Sequence, residues 1–453
     1  MQTIDGFAGR QLGAGDPGYD EARALFNGMI DARPALIARC EGADDIARAV
    51  AHALHHDVPL AVRAGGHSVA GMSTNDGGVV VDVRPLTDIS VDAAARTVRC
   101  GAGVTWADFD RATQEHGLAT TGGRVSTTGV AGLTLGGGSG WLERLHGLAC
   151  DSLTAVDLVT ATGDQVRADA DEHPELLWAL RGGGGNFGVA TAFEFRLHPL
   201  GPTVHGGLAM YDPADGRSVL RTLRDFYLDA PHEAALLFMY MVAPPEPFVP
   251  EEWQGRLVAA IAGMWIGPPD VGAPVLRPLV NAARPVVDLF GELPYTELQS
   301  MIDDPPGMRN WWTADYLDEL PDAAVDAFCA HAERMPRSST FLLVIPWGGA
   351  VARASDASCM PNRDAAWVVH PYGLWEEPTR DDEHVAWGRA SHSVFAPWST
   401  GGTYLNFIGD EGPDRVRAGF GAAYERLARV KAEWDPDNVF RGNQNIRPAH
   451  AVL

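Results

Sequence analysis

The stretch "VRAGGHSVAG", residues 62–71, holds one histidine, His67, inside a turn otherwise built from residues that chiefly supply backbone. A glycine turn after a strand exposes N–H groups to a phosphate or a carbonyl. An imidazole at the same spot adds a nucleophilic nitrogen, so this turn could both cradle a ligand and bond to it. Taken alone, it is also compatible with a plain strand end. Two further glycine runs change the weighting. In "GGRVSTTGVAGLTLGGGSGWLERLHGLACDSL", Gly122, Gly123, Gly129, Gly132, Gly136, Gly137, Gly138 and Gly140 alternate with the hydroxyls of Ser126, Thr127, Thr128 and Ser139. "GGGGNFGV" follows at residues 182–189. Three such runs suggest one extended ligand lying along several backbone segments, and a dinucleotide has that length. No GxGxxG opens a helix and no GK[ST] follows a glycine loop, so Rossmann and Walker sites are poor matches.

Proton chemistry has its own candidates. In "WVVHPYGLW", His370 and Tyr372 are two apart and share one strand face. Of the two, His370 suits a base at neutral pH, and Tyr240 in "LFMYMV" is a third candidate. "TFLLVIPW" offers no carboxylate, only an apolar wall from Phe341, Leu343 or Ile345. A metal is not expected. His52, His55 and His56 crowd one helix end without a carboxylate or cysteine to complete a set, and the five cysteines are scattered, odd in number and free of any CxxC pair.

The elements that must position these residues follow from periodicity. "EGADDIARAVAHALHHDV" places Ile46, Val50, Ala53 and Leu54 on one helical face, with Asp44 and Asp45 at its positive end. "PLAVRA" and "GGVVVDV" read as strands around the histidine turn. "VTWADFDRATQEHG" is a helix that starts on the Thr105/Asp108 spacing, and "HPELLWALRGGGG" is one that starts at Pro174. "DLVTATGDQVRA" is a hairpin. Beyond residue 202 glycine thins, and long apolar strand-like runs alternate with helices up to about residue 400. Near the end, Val416, Phe420, Tyr424, Leu427, Val430 and Trp434 recur at helical spacing and require a core.

At 453 residues the chain exceeds one ordinary core. Its 35 basic against 59 acidic residues give a formal charge of −24, which disfavours nucleic acid and anionic membranes. No apolar stretch is long enough to span a bilayer, and the N-terminus lacks a signal-peptide pattern. A cytoplasmic protein is the expectation.

"RAGGHSVAG", "GRVSTTGVAGLTLGGGSGWLERLHGLACDSL", "GGGGNFGV", "YLNFIGDEG" and "WDPDNVFRGNQNI" occur in that order, and together they resemble the berberine bridge enzyme-like family of FAD-linked oxidases. Within the vanillyl-alcohol-oxidase superfamily, the chain looks nearest to the bacterial branch that includes 6-hydroxy-D-nicotine oxidase. The resemblance implies an α+β fold. A PCMH-type FAD-binding domain of two α/β subdomains would occupy residues 1–202 (core about 33–200). A substrate domain of antiparallel sheet covered by helices would be inserted at 203–400, and 401–453 would return to the FAD-binding domain.

The resemblance also implies roles. His67 would carry an 8α-histidyl bond to FAD. Arg63, Ala64, Gly65, Gly66, Ser68 and Gly71 would contact the cofactor from the first loop, and Val125, Thr127, Thr128, Gly129, Gly132, Gly136, Gly138, Gly140 and Gly147 from the second. Gly188 and Val189 would flank the adenine half, and Tyr404, Asn406 and Asn443 would return from the C-terminus. Two departures matter. Val125 stands where many relatives carry a second, cysteinyl flavin link, so a single attachment is expected, and Cys150 is too displaced to substitute. Phe407 stands where several relatives carry a catalytic tyrosine, so the base is lost or lies elsewhere. The expected activity is hydride transfer from a C–OH or C–N carbon of a medium-sized secondary metabolite to flavin N5, with O2 as acceptor, in a monomer or homodimer. The alternative is a flavoprotein that sequesters a ligand with little turnover.

Overall fold

The computed structural model describes residues 3–353 and 356–449. Its first sheet has four strands in the order β1-β2-β4-β3: β1 (Arg10–Leu12), β2 (Leu36–Arg39), β3 (Leu60–Arg63) and β4 (Val79–Asp82). β2, β3 and β4 run parallel and are buried along most of their length, as parallel strands covered by helices require. Helix α1 (Ala43–His55) supplies the crossover between β2 and β3. Its Asp45 side chain accepts the amides of Ala8, Gly9 and Glu41 at 2.8–3.0 Å, which pins the N-terminal segment to the sheet.

The second sheet is antiparallel, in the order β5-β6-β9-β7-β8: β5 (Ile89–Asp92), β6 (Thr97–Gly101), β7 (Leu153–Val159), β8 (Gln165–Ala168) and β9 (Val189–Arg196). The expected hairpin is the β7–β8 pair. Helix α2 (Trp106–Gln114) begins where the Thr105 hydroxyl accepts the Asp108 amide, as the spacing predicts. Helix α3 (Val130–Leu135) then carries the glycine-rich segment between the two sheets.

The third sheet has nine strands and holds the apolar runs beyond residue 202. Its main strands are β10 (Thr203–Tyr211), β11 (Ala234–Val242), β12 (Leu257–Trp265), β13 (Arg309–Trp312), β14 (Phe341–Pro346) and β15 (Trp367–Trp375). They lie in the order β10-β12-β11-β14-β15-β13. Period-two alternation divides their side chains between two cores. Leu236, Phe238, Tyr240, Leu342 and Val344 face the helices Gly216–Phe226, Pro269–Val280 and Asp322–Glu333. Leu237, Met239, Leu343, Ile345 and Tyr372 face the other way, toward the glycine-rich loops.

The C-terminal segment has the helical spacing read from its apolar residues, though not in one continuous helix. It forms two helices, Pro413–Phe420 and Tyr424–Trp434, broken by a tight turn where Gly421 takes φ +50°. Val416, Phe420, Leu427 and Val430 are buried, while Tyr424 and Trp434 are only partly covered. Lys431 is fully buried and satisfied by the Asp435 carboxylate (2.6 Å) and the carbonyls of Asn186 (2.6 Å) and Phe440 (2.9 Å). That network fastens the C-terminal segment to the third glycine run.

Candidate active site

A cleft of about 340 Å³ runs between the glycine-rich loops and the inner face of the third sheet. Its floor is backbone. Gly65 and Gly129 meet main chain to main chain: a Cβ on Gly65 would lie 2.4 Å from the Gly129 nitrogen, and one on Gly129 would lie 2.6 Å from the Gly65 nitrogen. Neither loop could close on the other with any side chain present. Gly132 and Gly185, by contrast, present bare faces on the cleft wall, with nothing within 4 Å of where a Cβ would sit. Methyl groups there would fill the space a ligand needs.

His67 lies at the edge of this floor. Its ring stacks on Phe26 with centroids 4.1 Å apart. Its Nε2 is 3.1 Å from the Thr127 hydroxyl, and its Nδ1 is 3.4 Å from that of Thr128. Burial pushes the imidazole down to about 4, against a small opposing contribution from a Thr127 hydrogen bond. At neutral pH it is therefore uncharged and keeps a lone pair. The segment bearing Phe26 ties the loop to the third sheet: the Asn27 amide group donates to the carbonyls of Val69 (2.8 Å) and Asn310 (3.0 Å).

Opposite the floor, β14 and β15 form the wall. Leu343 and Ile345 line it, and Phe341 sits at its margin, edge-on to Tyr372. His370 and Tyr372 both face the cleft. Nδ1 of His370 is 2.8 Å from the Thr313 carbonyl, which can only accept, so Nδ1 carries the proton and Nε2 the lone pair. The ring lies parallel to Phe407 at 4.2 Å, and burial holds its pKa down at about 4. Tyr372 stacks on Trp312 at 4.1 Å and donates its phenolic proton in a short hydrogen bond to Asp304. Desolvation raises the Asp304 carboxyl to about 6, although the Tyr372 hydrogen bond pulls it down. The neighbouring Asp303 accepts the Ser126 amide (2.6 Å) and hydroxyl (2.5 Å), and Gln299 donates to the Gly123 carbonyl (3.0 Å). One short loop thus locks the second glycine run to the base of the wall.

Among the residues expected around a cofactor, Ala64, Gly65, Gly66, His67, Ser68, Val125, Thr128, Gly129, Gly132, Gly136, Gly188, Asn406 and Asn443 line the cleft together. The others act at one remove. Arg63 turns its guanidinium away, to the carbonyls of Ala22 and Ala24. Gly71, at φ +76°, lets Ile30 approach its backbone. Thr127 turns its hydroxyl to the His67 ring, 3.1 Å from Nε2. The Tyr404 hydroxyl accepts the amides of Gly138 (2.8 Å) and Ser139 (3.0 Å), so both Tyr404 and Gly138 brace the floor from behind. Gly140 packs on the Gly122 carbonyl, and Gly147, at φ +84°, packs on the Asp151 side chain. Val189 pairs with Val159 and points into the core. Tyr240 is a correction: odd-even alternation on β11 sends it to the helix-covered face, where its hydroxyl meets the Pro213 carbonyl at 3.3 Å.

Sequence reasoning passed over Asp304, Trp312, Arg124 and Phe26. Asp304 and Trp312 lie more than 50 residues from Tyr372 in sequence; strand pairing brings Trp312 beside it, and a side-chain hydrogen bond joins the loop residue Asp304 to it. Gly182, Gly184 and Gly185 line the cleft as well, and the four-glycine run itself was their signal. Among the described residues no cluster of His, Cys, Asp or Glu could hold a metal ion, and no helix is long and apolar enough to cross a membrane.

A glycine-faced trough with hydroxyls along one rim and a neutral imidazole at one end fits FAD, whose pyrophosphate needs close backbone approach and whose ring needs a flat slot. Comparison with known proteins agrees. A sequence model described as "FAD binding domain" matches residues 34–169, and one described as "Berberine and berberine like" matches residues 403–447. The chain is 32% identical to (R)-6-hydroxynicotine oxidase of Paenarthrobacter nicotinovorans over 96% of its own length and 95% of that protein's. It belongs to the berberine bridge enzyme-like family of FAD-linked oxidoreductases. Its similarity to the uncharacterised FAD-linked oxidoreductase YgaK of Bacillus subtilis is 29% identity over 98% of both chains. The crystal structure of 6-hydroxy-D-nicotine oxidase from Arthrobacter nicotinovorans superposes with a TM-score of 0.85, 29% identity and 98% coverage of both chains. A Physcomitrella patens BBE-like 1 variant, at 23% identity and TM-score 0.87 over 98% of both chains, shares the fold. This flavoprotein of the berberine bridge enzyme-like family thus has the expected α+β, PCMH-type architecture. It is an FAD-linked oxidoreductase acting on a small molecule.

Proposed function

We propose that this oxidoreductase holds FAD through a single 8α-histidyl bond at His67 and oxidises a C–OH or C–N carbon of a medium-sized secondary metabolite. Hydride would pass to flavin N5, with O2 as the terminal acceptor. The observation that carries the reading is the placement of a neutral imidazole, His67, at the end of a glycine-faced trough, with two proton-accepting side chains, His370 and Tyr372, across the cleft.

FAD, when bound, supplies a two-electron acceptor for the substrate carbon. Everything else falls to the chain. Phe26, Thr127 and Thr128 fix the His67 ring, which would carry the cofactor. Val125 lines the cleft where a cysteine would be needed for a second bond. Apolar side chains from β14 exclude water beside the ring. His370 Nε2 is positioned to take the proton that a hydroxyl or amine loses as its carbon is oxidised. Tyr372 can take a proton from the cleft as it passes its own to Asp304. These acceptors favour turnover over mere sequestration of a ligand, because oxidation of a C–OH or C–N carbon releases a proton that a nearby acceptor must take up. Residues 1–202 with 401–453 are read as the FAD-binding unit and 203–400 as the substrate unit, in line with the division of the strands among three sheets. All five cysteines are free and buried, which suits the reducing cytoplasm proposed here, and the chain would act as a monomer or homodimer.

The test is aerobic incubation of the purified protein with a panel of alcohols and amines, following peroxide release. Stoichiometric peroxide with at least one class supports the oxidase. Bleaching of the flavin without peroxide would place the acceptor elsewhere, and no reaction with any class would favour sequestration.

A further inference from the structure

Lys431, the only lysine among the 35 basic residues of the chain, is fully buried. Resting on the reading that sets the flavin ring beside His67, we propose that Lys431 is a positioning residue for the cofactor. It pins the loop of residues 440–444 as a clasp over the end of the trough away from His67, and so sets the preference for FAD over FMN. Its ammonium group has three protons and meets three acceptors: the Asp435 carboxylate (2.6 Å) and the carbonyls of Asn186 (2.6 Å) and Phe440 (2.9 Å). The same carboxylate accepts the amides of Val439 (2.8 Å) and Phe440 (2.9 Å). Lys431 and Asp435 thus grip the root of the loop by a carbonyl and two amides, and the bond to Asn186 ties it to the third glycine run. Withdrawing the ammonium would leave two buried carbonyls and a carboxylate short of a donor.

The clasp has two sides. Gly184, Gly185 and Gly188 line the cleft from the glycine run, and Phe440, Gly442 and Asn443 line it from the loop. The Asn443 amide group bridges them, donating to the carbonyls of Gly185 and Phe440 at 3.0 Å each. Its place along the trough follows from β3. A Cβ on Gly442 would lie 3.0 Å from the carbonyl oxygen of Leu60, which opens that strand, whereas His67 lies beyond its other end. Leu60, Ala61 and Val62 line the cleft between the two, and a strand of this length spans on the order of 10 Å. With the ring at His67, the part of the cofactor that extends to the clasp is the adenosine half, which FMN lacks. The glycine faces and the Leu60 and Phe440 side chains suit a flat purine there. Only the closed clasp grips adenosine, so closure and FAD binding favour each other.

The test uses full-length His67→Ala protein, in which no covalent bond masks the binding equilibrium, with and without Lys431→Met. Flavin-free samples are titrated with FAD and with FMN. The expected result is that Lys431→Met weakens FAD about tenfold or more and leaves FMN within about twofold. Equal losses for both flavins would make Lys431 a general prop of the fold, and an unchanged FAD constant would remove it from cofactor binding. Either overturns the proposal. A second measurement leaves Lys431 in place and holds even where Lys431→Met does not fold. As the sole lysine, its amine can be followed by acetylation with an N-hydroxysuccinimide ester and peptide mass spectrometry. FAD should slow its acetylation in the His67→Ala protein about tenfold or more, and FMN by much less. Equal rates with FAD, with FMN and without flavin would overturn the clasp. Failure of the covalent reading is seen separately, as flavin released by acid from protein with His67 intact, and leaves both comparisons to be read on their own.

Discussion

Tyr372 and Asp304, 68 residues apart in sequence, are buried together at the base of the cleft, the phenol donating its only proton to the carboxylate. With its proton committed to Asp304, the Tyr372 oxygen is left as an acceptor on a side chain that lines the cleft. The relay role proposed for it depends on Asp304 being ionised.

That dependence has a pH signature. Burial raises the Asp304 carboxyl to about 6, so the acceptor form is present above that value and lost below it. kcat/KM is expected to climb with pH through about 6 and then level. In Asp304→Asn the climb should disappear, with kcat down about tenfold to a hundredfold. A pH–rate profile of the two proteins checks it, and an unchanged limb in the variant would assign the titration to another group.

Two glycines separate the cost of folding from the cost of cofactor binding. Gly132 sits in a helix with open cleft beside it, so Gly132→Ala should leave thermal stability unchanged or raise it by up to ~1 kcal/mol while reducing flavin content. Gly65→Ala would drive a methyl into the Gly129 backbone, and it should cost stability as well as flavin. Melting curves beside the ratio of flavin to protein absorbance distinguish the two.

Tyr240→Phe should leave turnover untouched, because its side chain lies on the helix-covered face of β11. The expected cost is about 1 kcal/mol of stability, from the lost hydrogen bond to Pro213. A fall in kcat without a change in KM or stability would return this residue to the site.

Asp110 is fully buried, and burial pushes its carboxyl up to about 8, partly offset by Gln299. Its native pKa lies above the unfolded value, so the folded protein binds this proton more tightly. Stability from this group is present at low pH and is lost progressively as pH rises from about 4 to 8. Asp110→Asn should therefore stabilise the protein on the order of a few kcal/mol at pH 9 and little at pH 5. Denaturant midpoints at the two pH values measure the difference.

The floor of the site was more legible in the sequence than its wall, for a physical reason. Gly65, Gly129 and Gly132 are glycines because backbone must meet backbone or ligand there, and that demand leaves a local trace in composition. His370 and Tyr372 were legible because strand alternation is local too. Which face of the sheet they occupy is not local: the same alternation that suggested Tyr240 places it on the wrong side, since only the packing of the helices over β11 decides which face is inner. Asp304, Trp312 and Phe26 enter the site through strand pairing and loop docking over long separations, and no spacing rule reports that. The break at Gly421 was hidden by a helical repeat that continues across it with Tyr424, Leu427 and Val430.

The most direct test of the account is acid precipitation of the purified protein and of His67→Ala, followed by flavin fluorescence of pellet and supernatant. Flavin retained in the parent pellet and released from the variant is the predicted result, and a flavin-bearing peptide containing His67 should be recovered from the parent. Flavin released from both proteins would contradict the covalent link at His67.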